Sequence, residues 1–157
     1  MNDDQNKDFE EMQKSLKELE DIISKTNFSD IKDINNTVAK AYDIYKKFPD
    51  SEEVAFRYVS TLDTLASSQK SLDDIESTVA KASVIYERFS DSEEVAFCYV
   101  STLDTLASSQ KSLDDIESTV AKAYGVYERF SDSEAVAFPY VSTLDTLASS
   151  QIGRAHV

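Results

Sequence analysis

The chain has 157 residues, 41% hydrophobic and 29% charged, and its net charge of −14 disfavours nucleic-acid partners and attracts basic ones. Two Gly and two Pro leave little room for a turn-rich β fold, and the lone Cys98 excludes an internal disulfide or a cysteine-based zinc site. No apolar run approaches the ~18 residues of a membrane span, and the acidic N-terminus lacks the basic and apolar regions of a secretory signal, so the expected compartment is cytoplasmic.

Residues 1–28 open the chain. Phe9, Met12, Leu16, Leu19 and Ile23 recur at steps of three and four, the spacing of one helical face. This predicts a leading helix that covers one end of whatever follows, with residues 1–7 frayed.

A repeat begins at Ser29. "YVSTLDTLASSQ" occurs at Tyr58–Gln69, Tyr99–Gln110 and Tyr140–Gln151, and the whole unit recurs every 41 residues, as 29–69, 70–110 and 111–151. The last two copies differ at five positions only: Ser83/Tyr124, Val84/Gly125, Ile85/Val126, Glu94/Ala135 and Cys98/Pro139. Each copy reads as two helices. In the first, Leu72, Ile75, Val79, Ala82, Tyr86 and Phe89 form an apolar stripe over Leu72–Phe89, matched by Ile31–Phe48 and Leu113–Phe130. Ser71-x-x-Asp74 and Ser112-x-x-Asp115 mark its start in the manner of a capping box. "FPDSEE" or "FSDSEE" ends it and starts the second helix, with Ser90-x-x-Glu93 or Asp91-x-x-Glu94 as candidate caps. That second helix, roughly Glu93–Ser108, carries Ala96, Tyr99, Val100, Leu103, Leu106 and Ala107 at the same spacing. One helix pair alone cannot bury such a stripe. Stacked pairs can, which accounts for the repetition.

A helix ending in "YKKFPDSEE" or "YERFSDSEE", followed by an aromatic-containing helix, resembles a tetratricopeptide repeat. In that mapping Glu93–Ser108 corresponds to the family's first helix and Leu72–Phe89 to its second. The period departs from the family's usual 34 or so. Phe56, Val59 and Ser60 stand near the positions of the missing Trp and Leu-Gly, and Pro49 is replaced by Ser90 and Ser131 in the later copies. HEAT-like and armadillo-like repeats have periods nearer 41 and stay open. All of these imply an all-α fold, an α-solenoid of tandem antiparallel helix pairs with an N-terminal leading helix.

The tail "IGRAHV" follows no other copy. It matches the translation, up to a stop codon, of a widely used short-read sequencing adapter. The expectation is that Ile152–Val157 is non-native readthrough, that His156 is therefore not a native catalytic or metal residue, and that the natural chain continues beyond Gln151.

Chemistry-bearing patterns are sparse. Without a native histidine, Ser-His-Asp and Cys-His constellations lack a base, and no Gly-rich phosphate loop is present. The acidic pairs Asp73–Asp74, Glu93–Glu94 and Asp114–Asp115 fall at helix starts, where capping and the macrodipole account for them. Cys98 has no basic neighbour in sequence to activate its thiol. No enzyme activity, cofactor or metal is expected.

The resemblance implies partner binding on a groove lined by the first helix of each family-type pair. It points Arg57, Thr61 and Thr64 toward that groove, with equivalents Cys98, Thr102, Thr105 and Pro139, Thr143, Thr146. The Arg/Cys/Pro position differs in every copy; the variation either tunes a binding surface or is drift at a tolerant site. The leading expectation is a protein-interaction scaffold taking a protein or peptide partner, with a basic partner favoured by charge. The alternatives are a self-associating structural array and the non-catalytic repeat region of a longer enzyme or regulator. As a free molecule the chain is expected to be monomeric or weakly self-associating. Pro139 inside a helix is expected to cost up to about 3 kcal/mol and to kink it, and Gly125 about 1 kcal/mol, making the third pair the weakest.

Overall fold

The computed structural model describes residues 2–155; Met1, His156 and Val157 lie outside the described residues, and with them the reading of His156. Among the described residues the protein is all-α. Its helices are α1 (Asp3–Lys25), α2 (Ile31–Lys47), α3 (Glu52–Ser68), α4 (Leu72–Arg88), α5 (Glu93–Ser109), α6 (Leu113–Arg129) and α7 (Glu134–Ala155).

The helices form where the stripes place them, and polar caps fix their starts. Ser51, Ser92 and Ser133 accept hydrogen bonds from the backbone N–H groups of Val54, Val95 and Val136. The cap is thus the serine directly before the helix's first glutamate, not Ser90 or Asp91. It satisfies an otherwise orphaned N–H two residues into the helix. Ser71 and Ser112 accept from Asp74 and Asp115 N–H, as their spacing predicts. Residues 3–7, expected to fray, are helical. Asn2 accepts from the Gln5 N–H at 2.8 Å, the Gln5 side chain accepts from the Asn2 N–H at 3.2 Å, and Asp3 and Asp4 complement the helix dipole.

The order of packing defines two layers. Helices α3, α5 and α7 touch in succession and form an inner layer. Helix α4 lies against α3 and α5, α6 lies against α5 and α7, and α2 packs on α3. These outer helices make no comparable contact with one another. Helix α1 closes the start of the array against α2.

The core repeats with the sequence. Ile34, Ile75 and Ile116 occupy one position; Ala41, Ala82 and Ala123 another; Val59 and Val100, with Leu62 and Leu103, form the inner-layer seam. Val79, Leu103 and Val120 are all buried, as matching stripes require. Burying one such side chain contributes about 1.5–3 kcal/mol. Within each pair a tyrosine of the outer helix stacks on one of the inner helix: Tyr45 on Tyr58, Tyr86 on Tyr99 and Tyr127 on Tyr140, with centroids 4.7–5.4 Å apart. A polar stitch also recurs. The Thr78 and Thr119 hydroxyls donate to the Gln69 and Gln110 side chains at 2.8 Å, tying the end of one inner helix to the next outer one. In the first pair Phe28 stands at the glutamine position, and Thr37 pairs with Thr26 instead.

The third copy departs at its end. Gln69 and Gln110 cap α3 and α5, but α7 runs on through Gln151 to Ala155. Pro139 sits inside α7, which continues past it.

Candidate functional site

The candidate site is the face of α3, α5 and α7 turned away from the outer helices. Its residues follow from helical geometry. On α5, Phe97, Ser101, Asp104 and Ser108 fall at steps of four, three and four, so they share one stripe. They remain partly or fully exposed while the rest of α5 is largely buried. The same stripe on α3 is Phe56, Ser60, Asp63 and Ser67; on α7 it is Phe138, Ser142, Asp145 and Ser149. Because the three helices lie side by side, the stripes align into rows of phenylalanine, serine and aspartate running across the array.

The residues expected to line a groove divide between this face and the helix junctions. Thr61, Cys98, Thr102, Pro139 and Thr143 are buried. The Thr61 and Thr102 hydroxyls donate to the Tyr58 and Tyr99 carbonyls, and Thr143 donates to the Pro139 carbonyl. These side chains pack between neighbouring inner helices and offer no free donor to a ligand. Burial pushes the Cys98 thiol up to about 12, with Asp63 and Glu94 adding to the effect, so it stays protonated. Arg57 is engaged too. Its Nη2 donates to Glu20 of α1 at 3.1 Å, its guanidinium lies over the Phe56 ring, and its Nε is buried without a partner. Thr64, Thr105 and Thr146 are half-buried, their hydroxyls donating to the Ser60, Ser101 and Ser142 carbonyls. The residues expected for the site therefore supply Arg57, Thr64, Thr105 and Thr146 at its margin.

The aspartate row, which sequence reading passed over, is the electrostatic centre of the face. Asp63 is pushed up to about 6: burial is the main cause, the Ser101 hydroxyl on α5 counters it, and Asp104 adds repulsion. Asp104 is raised in the same way, burial first, with Ser142 on α7 opposing. Each carboxylate thus faces the serine of the next helix, and in each the Oδ1 atom is buried with no hydrogen-bond donor. Such an atom is costly to leave unmatched. Between α5 and α7, a cleft of about 440 Å³ lined by Ser108, Ser142, Asp145, Thr146, Ser149 and Ser150 opens onto this face. The signal in the sequence was the Ser-x-x-Asp pair inside each "YVSTLD"; its meaning depends on knowing that the inner helices lie side by side.

Elsewhere the clefts are less suggestive. The cavity touching Thr61 and Thr64 holds only about 50 Å³, room for little more than water. A cleft of about 450 Å³ between α4 and α6 is floored by Tyr99 and Leu106 and edged by Glu76, Lys122 and Gln110. Among the described residues no cluster of His, Cys, Asp and Glu is placed to hold a metal ion, and no helix is long and apolar enough to cross a membrane.

No family model, curated protein or solved structure matches the chain.

Proposed function

We propose that this protein is a non-enzymatic interaction scaffold whose inner face takes a peptide segment carrying both basic and apolar side chains. The observation that carries the reading is the alignment, across α3, α5 and α7, of a phenylalanine row beside an aspartate row whose inner carboxylates are short of donors. A lysine or arginine from a partner would pair with the accessible side of these carboxylates, and aromatic rings alongside would cover its apolar neighbours. The negative charge of the whole chain would speed encounter with such a partner. The finer resemblance to tetratricopeptide arrays belongs to the same proposal. It is supported by the succession of inner helices bridged by outer ones and by Pro49 just past the Phe48 cap of α2. The Cys98 thiol is buried and held protonated, which favours binding over catalysis.

The test uses two labelled peptides of identical length, one alternating lysine with leucine and one alternating glutamate with leucine, titrated against the full chain by fluorescence anisotropy. The lysine peptide should bind and the glutamate peptide should not. Asp104→Asn and Phe97→Ala should each weaken the lysine peptide several-fold. Equal binding of both peptides, or binding indifferent to both substitutions, removes the inner face from consideration.

A further inference from the structure

On the outer side of the array, the middle pair lacks an aromatic ring that the first and third pairs possess. Positions 42, 83 and 124 are equivalent in the three copies, and they hold Tyr42, Ser83 and Tyr124. In the first pair the Tyr42 ring lies 5.5 Å from that of Tyr58, and in the third the Tyr124 ring lies 6.0 Å from that of Tyr140. Tyr45 and Tyr127 stack on the same two inner rings, so each inner tyrosine there meets a pair of outer ones. In the middle pair Tyr86 stacks on Tyr99, but where the second ring would stand there is the Ser83 hydroxyl.

Ser83 and Tyr99 both line the cleft of about 450 Å³ between α4 and α6. A space of roughly 150 Å³ is enough to take a benzene ring, so this one admits an aromatic side chain together with the backbone that carries it. Its floor is apolar, from Tyr99 and Leu106, and its rim is polar, from Glu76 on α4 and Ser118 and Lys122 on α6. Helix α5 lies beneath and α4 and α6 on either side, so the cleft is complete within the array and owes nothing to either end of the chain. The molecule itself shows what such a position accepts, because a tyrosine covers the equivalent inner ring in both other pairs. We propose that the α4/α6 cleft takes a tyrosine side chain from a partner polypeptide, its ring packing on Tyr99 as Tyr42 packs on Tyr58. Paired rings at such separations attract beyond the area they bury, and a phenol keeps its hydroxyl at the polar rim. The cleft lies on the outer side of α5, away from the aspartate row, so it is a site separate from the inner face.

The test titrates the isotope-labelled full chain with a neutral capped peptide, Gly-Ser-Tyr-Ser-Gly, and follows backbone amides by NMR. The expected result is a saturable shift at Ser83, Ser118 and Lys122. The peptide with alanine in place of its tyrosine should give no such shift, and the one with leucine should bind several-fold more weakly. Ser83→Tyr fills the cleft with a ring the fold already holds twice, so it should abolish the shifts without lowering the melting temperature. Ser83→Ala leaves the cleft open and should retain them. Asp104→Asn should change nothing here, because the peptide carries no cation for the inner face; the two sites therefore stand or fall separately. No saturable shift in the cleft up to the solubility of the peptide, equal binding of the alanine peptide, or binding undiminished in Ser83→Tyr would each overturn the proposal. So would a Ser83→Tyr chain that fails to fold, since the space would then not be one that a ring fits.

Discussion

Asp63 shows how one buried side chain ties stability to pH. Burial holds its carboxyl at about 6, against the ordinary 3.8. The folded protein therefore binds this proton more tightly than the unfolded chain. Its contribution to stability is fully present below about pH 3.8 and is lost as pH rises through about 6. At neutral pH the ionised carboxylate is a burden, partly relieved by residual exposure. Asp63→Asn, which keeps an acceptor for Ser101, should stabilise the fold by about 1–2 kcal/mol at pH 7. Urea titrations should show that gain shrinking as pH falls toward 4; a gain that is constant with pH would place its origin elsewhere. Gly125 and Pro139 are weak points of a different kind. A Cβ on Gly125 meets nothing within 4 Å, so Gly125→Ala adds helix propensity without a clash. It should raise stability by about 0.5–1 kcal/mol. Pro139→Ala restores an N–H inside α7, where the missing bond and the ring together cost up to about 3 kcal/mol. Thermal unfolding of the two single variants and the double variant tests both, and the two gains should be close to additive if the sites act independently.

At the scale of the helix, identical sequences have unequal worth. Leu103 and Leu144 sit in the same "YVSTLDTLASSQ" segment, yet one is 0% and the other 37% exposed. Leu103→Ala should cost about 2–5 kcal/mol, as for a fully enclosed leucine. Leu144→Ala should cost under about 1 kcal/mol in the monomer, because less apolar surface returns to water. Chemical denaturation at a concentration low enough to keep the protein monomeric separates the two; equal losses would mean that α7 is covered. This contrast also marks the limit of what the residues alone reveal. The three-and-four spacing places the helices of the repeats to within a residue or two, except for the end of α7, because an outer helix shows one apolar face and one charged face. It cannot orient α5, which is enclosed by α3, α4, α6 and α7. Nine of the 17 residues of α5 are buried, and they occupy most of its circumference. The resemblance points Thr102 and Cys98 at a groove, and with so little polarity contrast nothing in the residues opposes it, yet both are buried. The aspartate row was equally hidden: Asp63 and Ser101 are far apart in the chain and meet only because α3 and α5 are neighbours.

For the molecule as a whole, stability should decline toward the end where neighbours run out. Arrays of this kind are held by nearest-neighbour contacts, so each pair is as secure as the surfaces covering it. Helices α3 and α5 are covered from several sides, whereas among the described residues α7 packs mainly on α5 and α6, and α1 mainly on α2. The last pair also contains Gly125 and Pro139. Beyond the apolar packing of α6 and α7 on α5, it is tied to the second pair by exposed polar contacts, Arg129 to Asp91 and Ser133 to Glu93, and exposed ion pairs contribute about 0–1 kcal/mol. Native-state hydrogen exchange should therefore show α6 and α7 opening together first, α1 next, and α3 and α5 only near global unfolding. Uniform protection along the chain would mean that the helices unfold as one cooperative block and that neighbour contacts are not what limits each pair.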